Sequence, residues 1–482
     1  MKQFYQKTLL FLLMCMAGMK VMAYDCEVNG IYYYLVGTEA YVTYKGTQGY
    51  TILNDYAGSI VIPETITYDG NTYTVTTIYD KAFYNCSSVT SVSLPNTIQK
   101  IGPTAFSGCS QLAAITIPNS VTYIGNGAFS SCTSLTSITI PNNVTEIGNA
   151  AFNRCNATNL VFEDGESTLK LGYGFQSNSE GSGLFRECPL EQIYIGRKLS
   201  YSTDKMYGYS PFALIRSPFK VVFGPNITRI DDYMFYESYV DSVAFPKDLK
   251  SIGKSAFFCP FNMPAPRVAD YASIESMCTI VYEGKDTSRP QAEKNCVAGQ
   301  EITDIVIPDG ITAIGDYAFF RCKNLTSAVI PESVTSIGQS AFEYCGLNSI
   351  TIPKHVTTIG YSAFHDCTQL GTVISEIAEP FEIAYYTFSF RKSLNTSNCP
   401  AWNCKLYVPV GTKDKYKATA NWNLFPFIIE GNPAAIDNRE SSEDSSVSAV
   451  YDLSGIRLSQ TPSHGPYLLR MSDGTMKKVV KK

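Results

Sequence analysis

A period of 23 residues constrains this chain more than any other feature. Ile117 to Ile140 reads I-P-N-S-V-T-Y-I-G-N-G-A-F-S-S-C-T-S-L-T-S-I-T-I, and Pro141 begins the same phrase again. Val121, Ile124, Gly125, Ala128, Phe129 and Cys132 recur 23 residues later as Val144, Ile147, Gly148, Ala151, Phe152 and Cys155. They recur 23 residues earlier as Ile98, Ile101, Gly102, Ala105, Phe106 and Cys109. Apolar residues held at fixed phases of such a period mark a β-rich solenoid of short stacked coils. One coil cannot cover its own apolar side, so each needs neighbours and both ends need caps.

Each phase has a physical role. Leu135, Ile138 and Ile140 alternate with Ser and Thr, as a short strand with one buried face does. Pro141 lacks an N–H and ends that ladder. Val144 and Ile147 form a second extended piece on the opposite side of the coil. Gly125 is read as a turn residue with positive φ. Ala128 and Phe129 set a small residue beside a ring that fills the gap between coils, and Cys132 lies at the bend before the next strand.

Taken in order, residues 1–23 read as a signal peptide, with Lys2 and Lys7 before an apolar stretch from Thr8 to Met19 and cleavage after Ala23. Residues 24–61 read as an N-terminal β cap, with Ile31–Val36 and Ala40–Tyr44 as a hairpin. Repeats fill 62–162, 223–258 and 301–375, interrupted by irregular pieces at 163–222 and 259–300. Residues 376–431 close the stack as a C-terminal cap that includes Tyr416, Trp422 and Phe425. Residues 432–447 are acidic and Ser-rich and read as a linker. Residues 448–482 form a small β module ending in lysines.

The pattern I-P-x-x-V-T-x-I-G-x-x-A-F-x-x-C-x-x-L-T-S-I resembles the BspA-like leucine-rich repeats of secreted and surface proteins of the Bacteroidetes type. The resemblance covers about Tyr24 to Gly431 and implies a leucine-rich repeat solenoid with family-like caps. It implies a surface adhesin or host-interaction protein, with an extracellular or host-matrix protein or a glycan as partner. It also implies a place outside the cell or on its surface, associated with the outer membrane. The V-Y-D-L-S-G stretch at Val450–Gly455 and the later Gly465-Pro466-Tyr467 resemble the C-terminal sorting modules of secreted Bacteroidetes proteins.

Charge and motifs point the same way. Three lysines leave with the signal peptide, taking the formal net charge from −5 to −8, so nucleic acid is not an expected partner. No other stretch is long enough to span a bilayer, so no transmembrane span is expected after cleavage. Cys86, Cys109, Cys132 and Cys155, with Cys322, Cys345 and Cys367, fall on one phase and read as a column of buried thiols. Cysteines off that register are the disulfide candidates: Cys399 with Cys404, and Cys278 with Cys296. Short paired Cys/His spacings are missing, so no metal site is expected, and no cofactor motif occurs. His365-Asp366-Cys367 carries triad letters, but adjacent residues do not converge on one substrate and Cys367 belongs to the column. No catalytic residues are assigned; a hydrolase in the irregular segments and a structural protein without a specific ligand are the other readings.

The outward strand positions, Ser137 and Thr139, Ser242, Gln192, Ser349 and Thr351, predict a neutral polar face. Tyr173, Tyr194, Tyr201, Tyr207 and Tyr209 add rigid amphipathic rings and are the candidate ligand-binding residues.

Overall fold

The computed structural model describes residues 20–48, 50–260, 266–285, 288–388, 403–431, 447–452, 455–471 and 476–481. The chain forms two compact units. Met1–Ile227, Asp231–Asp241 and Ser255–Pro264 make the first; Thr228–Ile230, Ser242–Lys254 and Ala265–Lys482 make the second.

In the first unit each regular coil contributes a strand to each of two parallel ladders. Ser137–Ile140, Asn159–Phe162, Gln192–Ile195 and Phe219–Phe223 pair in register, with Ile138, Leu160, Ile193 and Val221 aligned and buried. On the other side Lys100–Ile101, Tyr123–Ile124 and Glu146–Ile147 pair with Ile101, Ile124 and Ile147 in line. The expected alternation holds, since Ser137 and Thr139 face solvent while Ile138 and Ile140 do not. Pro141 stands just past Ile140, the last residue of its strand, and Val144 N–H turns back to the Pro141 carbonyl at 3.1 Å.

A third ladder runs through the A-F turn. Thr104, Phe106 and Gly108 donate their N–H groups to the carbonyls of Asn126, Ala128 and Ser130 in the next coil, at 2.7–2.8 Å. To aim alternate N–H groups at the neighbour, the backbone enters the left-handed region at fixed places: Lys81, Thr104, Gly127 and Ala150, and four residues on Asn85, Gly108, Ser131 and Arg154. Gly125 is not among them, so its expected positive φ is wrong. The glycine is required by close approach: a Cβ on Gly125 would lie 2.4 Å from Pro103 N and 2.6 Å from the Gly102 carbonyl carbon. Gly148 repeats this against Asn126 N at 2.5 Å.

Rings stack along the core of the first unit. Tyr56, Phe83, Phe106, Phe129, Phe152, Phe185, Phe212, Phe235 and Phe257 follow one another with centroids 4.6–5.8 Å apart. That spacing is close to the inter-strand distance of a β ladder, which sets it. Tyr56 ends the column from the N-terminal cap; its hydroxyl accepts from Tyr32 N–H and donates to the Thr43 carbonyl, both at 2.9 Å. Lys20–Met22, inside the segment read as a signal peptide, pairs antiparallel with Gly46–Gln48. The rest of that segment, residues 1–19, lies outside the described residues.

The irregular piece at 163–222 still keeps the ladder. The additional sequence leaves as an excursion closed by a bridge between Phe175 and Ser182. Arg197, with no exposed surface, reaches back and donates to the carbonyls of Pro141, Asn142 and Val144 at 2.6–2.8 Å. It does the work that side chains do in the regular coils, where Thr97 and Ser120 hydroxyls donate to the Val75 and Ile98 carbonyls, the counterparts of Val144.

In the second unit Phe319, Phe342, Phe364 and Phe388 stack at 5.0–5.4 Å and meet Trp422 of the C-terminal cap. Trp422 is fully buried and donates Nε1–H to the Phe381 carbonyl at 2.9 Å. Lys405–Val408 and Phe427–Glu430 extend the parallel ladder beyond Thr372–Ser375. The piece at 259–300 contains a short helix, Ile274–Thr279, capped by the Ser273 hydroxyl, that the sequence reading does not anticipate. Buried Arg289 follows it, donating to the Phe320 carbonyl, to Tyr271 Oη at 3.3 Å and to Asn295 Oδ1 at 3.2 Å.

Every described cysteine is a free thiol. The expected pair Cys278 and Cys296 is not joined: Cys278 is buried within the short helix, and Cys296 sits in the strand Lys294–Val297. Cys404 is likewise free, and Cys399 lies outside the described residues. The column cysteines have found another partner. Cys109, Cys132 and Cys155 donate S–H to the carbonyls of Phe83, Phe106 and Phe129 at 3.0–3.2 Å, and Cys345 and Cys367 do the same to Phe319 and Phe342. Burial raises the thiols of Cys86 and Cys367 to about 12. Cys322 departs from this: burial raises it, but the Cys345 thiol and the Arg289 guanidinium, 3.7 Å from its sulfur, together draw it below its ordinary value.

Candidate binding surface

The strand face is polar, as expected. Ser137, Thr139, Gln192 and Ser349 are exposed, and Ser242 and Thr351 are half-buried. Tyr194 stands on this face, where its hydroxyl donates to Asp164 Oδ1 at 2.8 Å. The other tyrosines expected to bind ligand are elsewhere. Tyr173 packs on Tyr207 at 4.7 Å, whereas Tyr209 packs on Tyr233 and Tyr236 at 5.6 and 4.5 Å. Tyr201 donates its hydroxyl to the Asp232 carbonyl at 3.1 Å. The five are thus divided among separate places, and Tyr233 and Tyr236 belong with Tyr209. Of the carboxylates of the same irregular piece, Glu163 accepts from Asn142 N–H, and Glu187 pairs with Arg154.

In the second unit the turn positions build an open groove of about 430 Å³. It is lined by Tyr317, Phe320, Tyr344, Tyr361 and Tyr386, with Arg321, Gln339, Glu343 and His365 between the rings. These are repeat positions whose side chains the fold leaves open. One place after the stacked Phe, the second unit has Phe320, Glu343 and His365; the first has Tyr84, Ser107, Ser130 and Asn153. Two places after it stand Arg321, Tyr344 and Asp366, against Asn85, Gly108, Ser131 and Arg154. Coils that fold with Ser or Gly do not need a large ring there. Tyr361 and Tyr344 remain 51% and 36% exposed, so their rings are not core filling.

The groove is held in shape by local contacts. The Arg321 guanidinium lies 5.4 Å from the ring centres of both Phe320 and Tyr344, and it donates to Gln291 Oε1. Gln339 Nε2 donates to Tyr317 Oη at 2.9 Å. His365 Nδ1 stands 3.6 Å from Glu343 Oε1 and 3.3 Å from Asp366 Oδ2. Glu343 chiefly, and Asp366, favour the imidazolium over the cost of burial and raise its pKa above 6.5. We predict that Glu343→Gln returns the His365 pKa toward 6.5. Imidazole hydrogen exchange followed by mass spectrometry against pH would read this; an unchanged midpoint would rule out Glu343 as the cause.

Sequence reasoning missed this groove because its residues sit at variable positions of successive coils, about 23 apart, and carry no local motif. A comparison of equivalent positions between repeat blocks would have found it, by the replacement of small residues with rings. The Cys367 thiol points away, donating to the Phe342 carbonyl at 3.1 Å, so the triad letters do not assemble. Among the described residues no group of three or more His, Cys, Asp or Glu is placed to hold a metal ion, and no helix is long and apolar enough to cross a membrane.

No curated protein matches the sequence. Among solved structures, the chain is similar to a leucine-rich repeat protein from Bacteroides ovatus, at 23% identity and a TM-score of 0.40, covering 85% of this chain and all of that one. It is similar to a leucine-rich cell surface protein from Faecalibacterium prausnitzii, at 20% identity and a TM-score of 0.32, over 87% of this chain and 98% of that one. The pneumococcal vaccine antigen PcpA is 16% identical, with a TM-score of 0.31, over 86% of this chain and 99% of that one. The model of the BspA type leucine-rich repeat region matches residues 63–180, 173–263 and 291–406, with six copies. With the repeat matched over more than half its length, this chain belongs to the BspA-type leucine-rich repeat family.

Proposed function

We propose that the chain is an exported, non-catalytic binding protein that presents its repeat surface to extracellular or host proteins or glycans. One observation carries the reading: exposed rings occupy turn positions that sister coils fill with smaller residues, Gly108 and Ser131 against Tyr344, and Asn126 and Asn149 against Tyr361. Aromatic side chains with a polar tip give large contact area at low conformational cost, which is why they dominate hot spots. The leader pattern of residues 1–23 and the repeat family support export. In the first unit the corresponding candidates are two clusters, Tyr173 with Tyr207 and Tyr209 with Tyr233 and Tyr236.

The test is binding of the purified chain to a panel of matrix proteins, mucins and glycans. Saturable binding to at least one member is expected. Joint replacement of Tyr344 and Tyr361 by Ala should weaken it about tenfold or more, as loss of a hot spot of ~2 kcal/mol would. Replacing Tyr173 and Tyr207, or Tyr209, by Ala asks the same of each of these clusters. Silence across the panel would count against the reading, and unchanged binding in a variant would remove that patch from it.

A further inference from the structure

The C-terminal β module packs on the repeats at one place, and the chemistry there is that of a docking site. The module is a four-stranded antiparallel sheet of Val447–Tyr451, Arg457–Leu458, Gly465–Met471 and Met476–Lys481. It meets Asp304–Val306, a strand that pairs with Ser327–Val329 as a two-stranded sheet. The irregular piece before it ends in a hairpin, Lys294–Val297 with Gln300–Glu301, so the preceding ladder stops short and Asp304–Val306 has an open edge. An open edge is a template for another strand. Here Val306 N–H donates to the Gly455 carbonyl at 2.9 Å, and Ile305 forms an antiparallel bridge with Ile456.

Two features make the contact selective. First, Asp304 occupies an outward position where Ser137, Ser327 and Ser349 stand in other coils. Its side chain is only 12% exposed, and it accepts from Tyr451 Oη at 2.8 Å and Arg457 Nη1 at 3.0 Å, with Arg470 Nη1 3.8 Å away. All three partners belong to the module. Arg470 also donates to Ser327 Oγ at 2.8 Å. Second, outward Val306 and Val329, where Thr139 and Thr351 stand in other coils, pack with Ala449, Tyr451, Leu468 and Met476. A Cβ on Gly455 would fall on the Val306 carbonyl oxygen, so this approach admits only glycine.

We propose that the outward face of Asp304–Val306 and Ser327–Val329 is a docking site for an antiparallel β edge that presents a tyrosine and an arginine to Asp304, and that the chain's own C-terminal module occupies and closes it. A tether as short as residues 432–446 holds a partner at an effective concentration in the mM range. The contact is therefore favoured within one chain, and a free β edge of the same intrinsic affinity must reach about mM concentration to displace the module.

Two experiments on the full chain test this. Ile305→Cys with Ile456→Cys places thiols on an antiparallel bridge, where Cα atoms lie about 4.5–5.5 Å apart, within disulfide range. A disulfide within one chain is expected on oxidation, identified by peptide mass. A link between two chains, or none, would overturn closure within the chain. Asp304→Ser installs the residue that sister coils carry, so the repeats keep their fold. Hydrogen exchange at Val306 and through Val447–Tyr451 should then speed at least tenfold, while Ser349–Ile352 stays unchanged. Unaltered exchange at Val306 would overturn the anchor role of Asp304.

Discussion

Phe129→Ala should lower the unfolding free energy of the first unit by about 3–5 kcal/mol, the range for truncating a large buried ring. Phe129 has no exposed surface and is stacked between Phe106 at 5.2 Å and Phe152 at 5.4 Å. Its backbone donates N–H to the Ala151 carbonyl, and its own carbonyl accepts the Cys155 thiol. The ladder spacing fixes the coils above and below, so the space left by the ring cannot close by collapse. Both neighbouring rings lose a stacked face at once. Urea unfolding followed by far-ultraviolet dichroism would measure the loss. Exchange of the coil's amides would separate local opening from global unfolding, since each coil of a stack is stabilised mainly by its neighbours. A change below about 1 kcal/mol would mean that the column is not a principal source of stability.

Gly125→Ala should be costly by a different route. The atoms that a new Cβ would meet at 2.4–2.8 Å are Pro103 N and Gly102 C, on a neighbouring coil's main chain, and Cδ of the Pro103 ring closed onto that N. A flexible side chain could swing aside; this backbone is tied down by the bond from Gly125 N–H to the Ile101 carbonyl at 2.8 Å. The coils must separate locally, which should cost ~3 kcal/mol, the upper part of the range for overpacking. Gly127→Ala is the control: it sits two residues on, at φ 60°, where the equivalents in sister coils are Thr104 and Ala150. It should cost no more than ~1–2 kcal/mol, the penalty for a side chain in the left-handed region. Equal losses at the two positions would contradict the assignment of Gly125 to close approach.

How much of this was legible in the sequence depends on what repeats. The strands, the ring column and the cysteine phase follow from side chains that must meet their own counterparts one coil away. Such a requirement writes itself into the chain at every period. The reason for each requirement is less visible. The letter at Gly125 is the same whether φ or close approach demands it, and only the neighbouring coil tells them apart. The aromatic groove was illegible because the fold tolerates Ser, Gly, Tyr or Arg alike at positions 320, 321, 343, 344 and 365. The contact between Asp304 and Tyr451 joins residues 147 apart with no shared motif, so nothing local could announce it. Ser273 beginning a short helix at Ile274 was a readable cap signal within a piece treated as irregular.

The thiol column also sets an order of events. Twelve of the described cysteines are buried as free thiols, and the regular coils contribute one apiece. Before a coil stacks, its thiol has an ordinary acidity and is open to exchange with any oxidant or with other thiols of the chain. Once the coil docks, that thiol is sealed under the next turn and ceases to react. In an oxidising compartment, assembly of the stack is therefore a race, and every coil added removes one competitor. A chain that stalls between coils is exposed to mispaired crosslinks that no later stacking can accommodate. Speed of coil addition, as much as final stability, governs the yield of native protein.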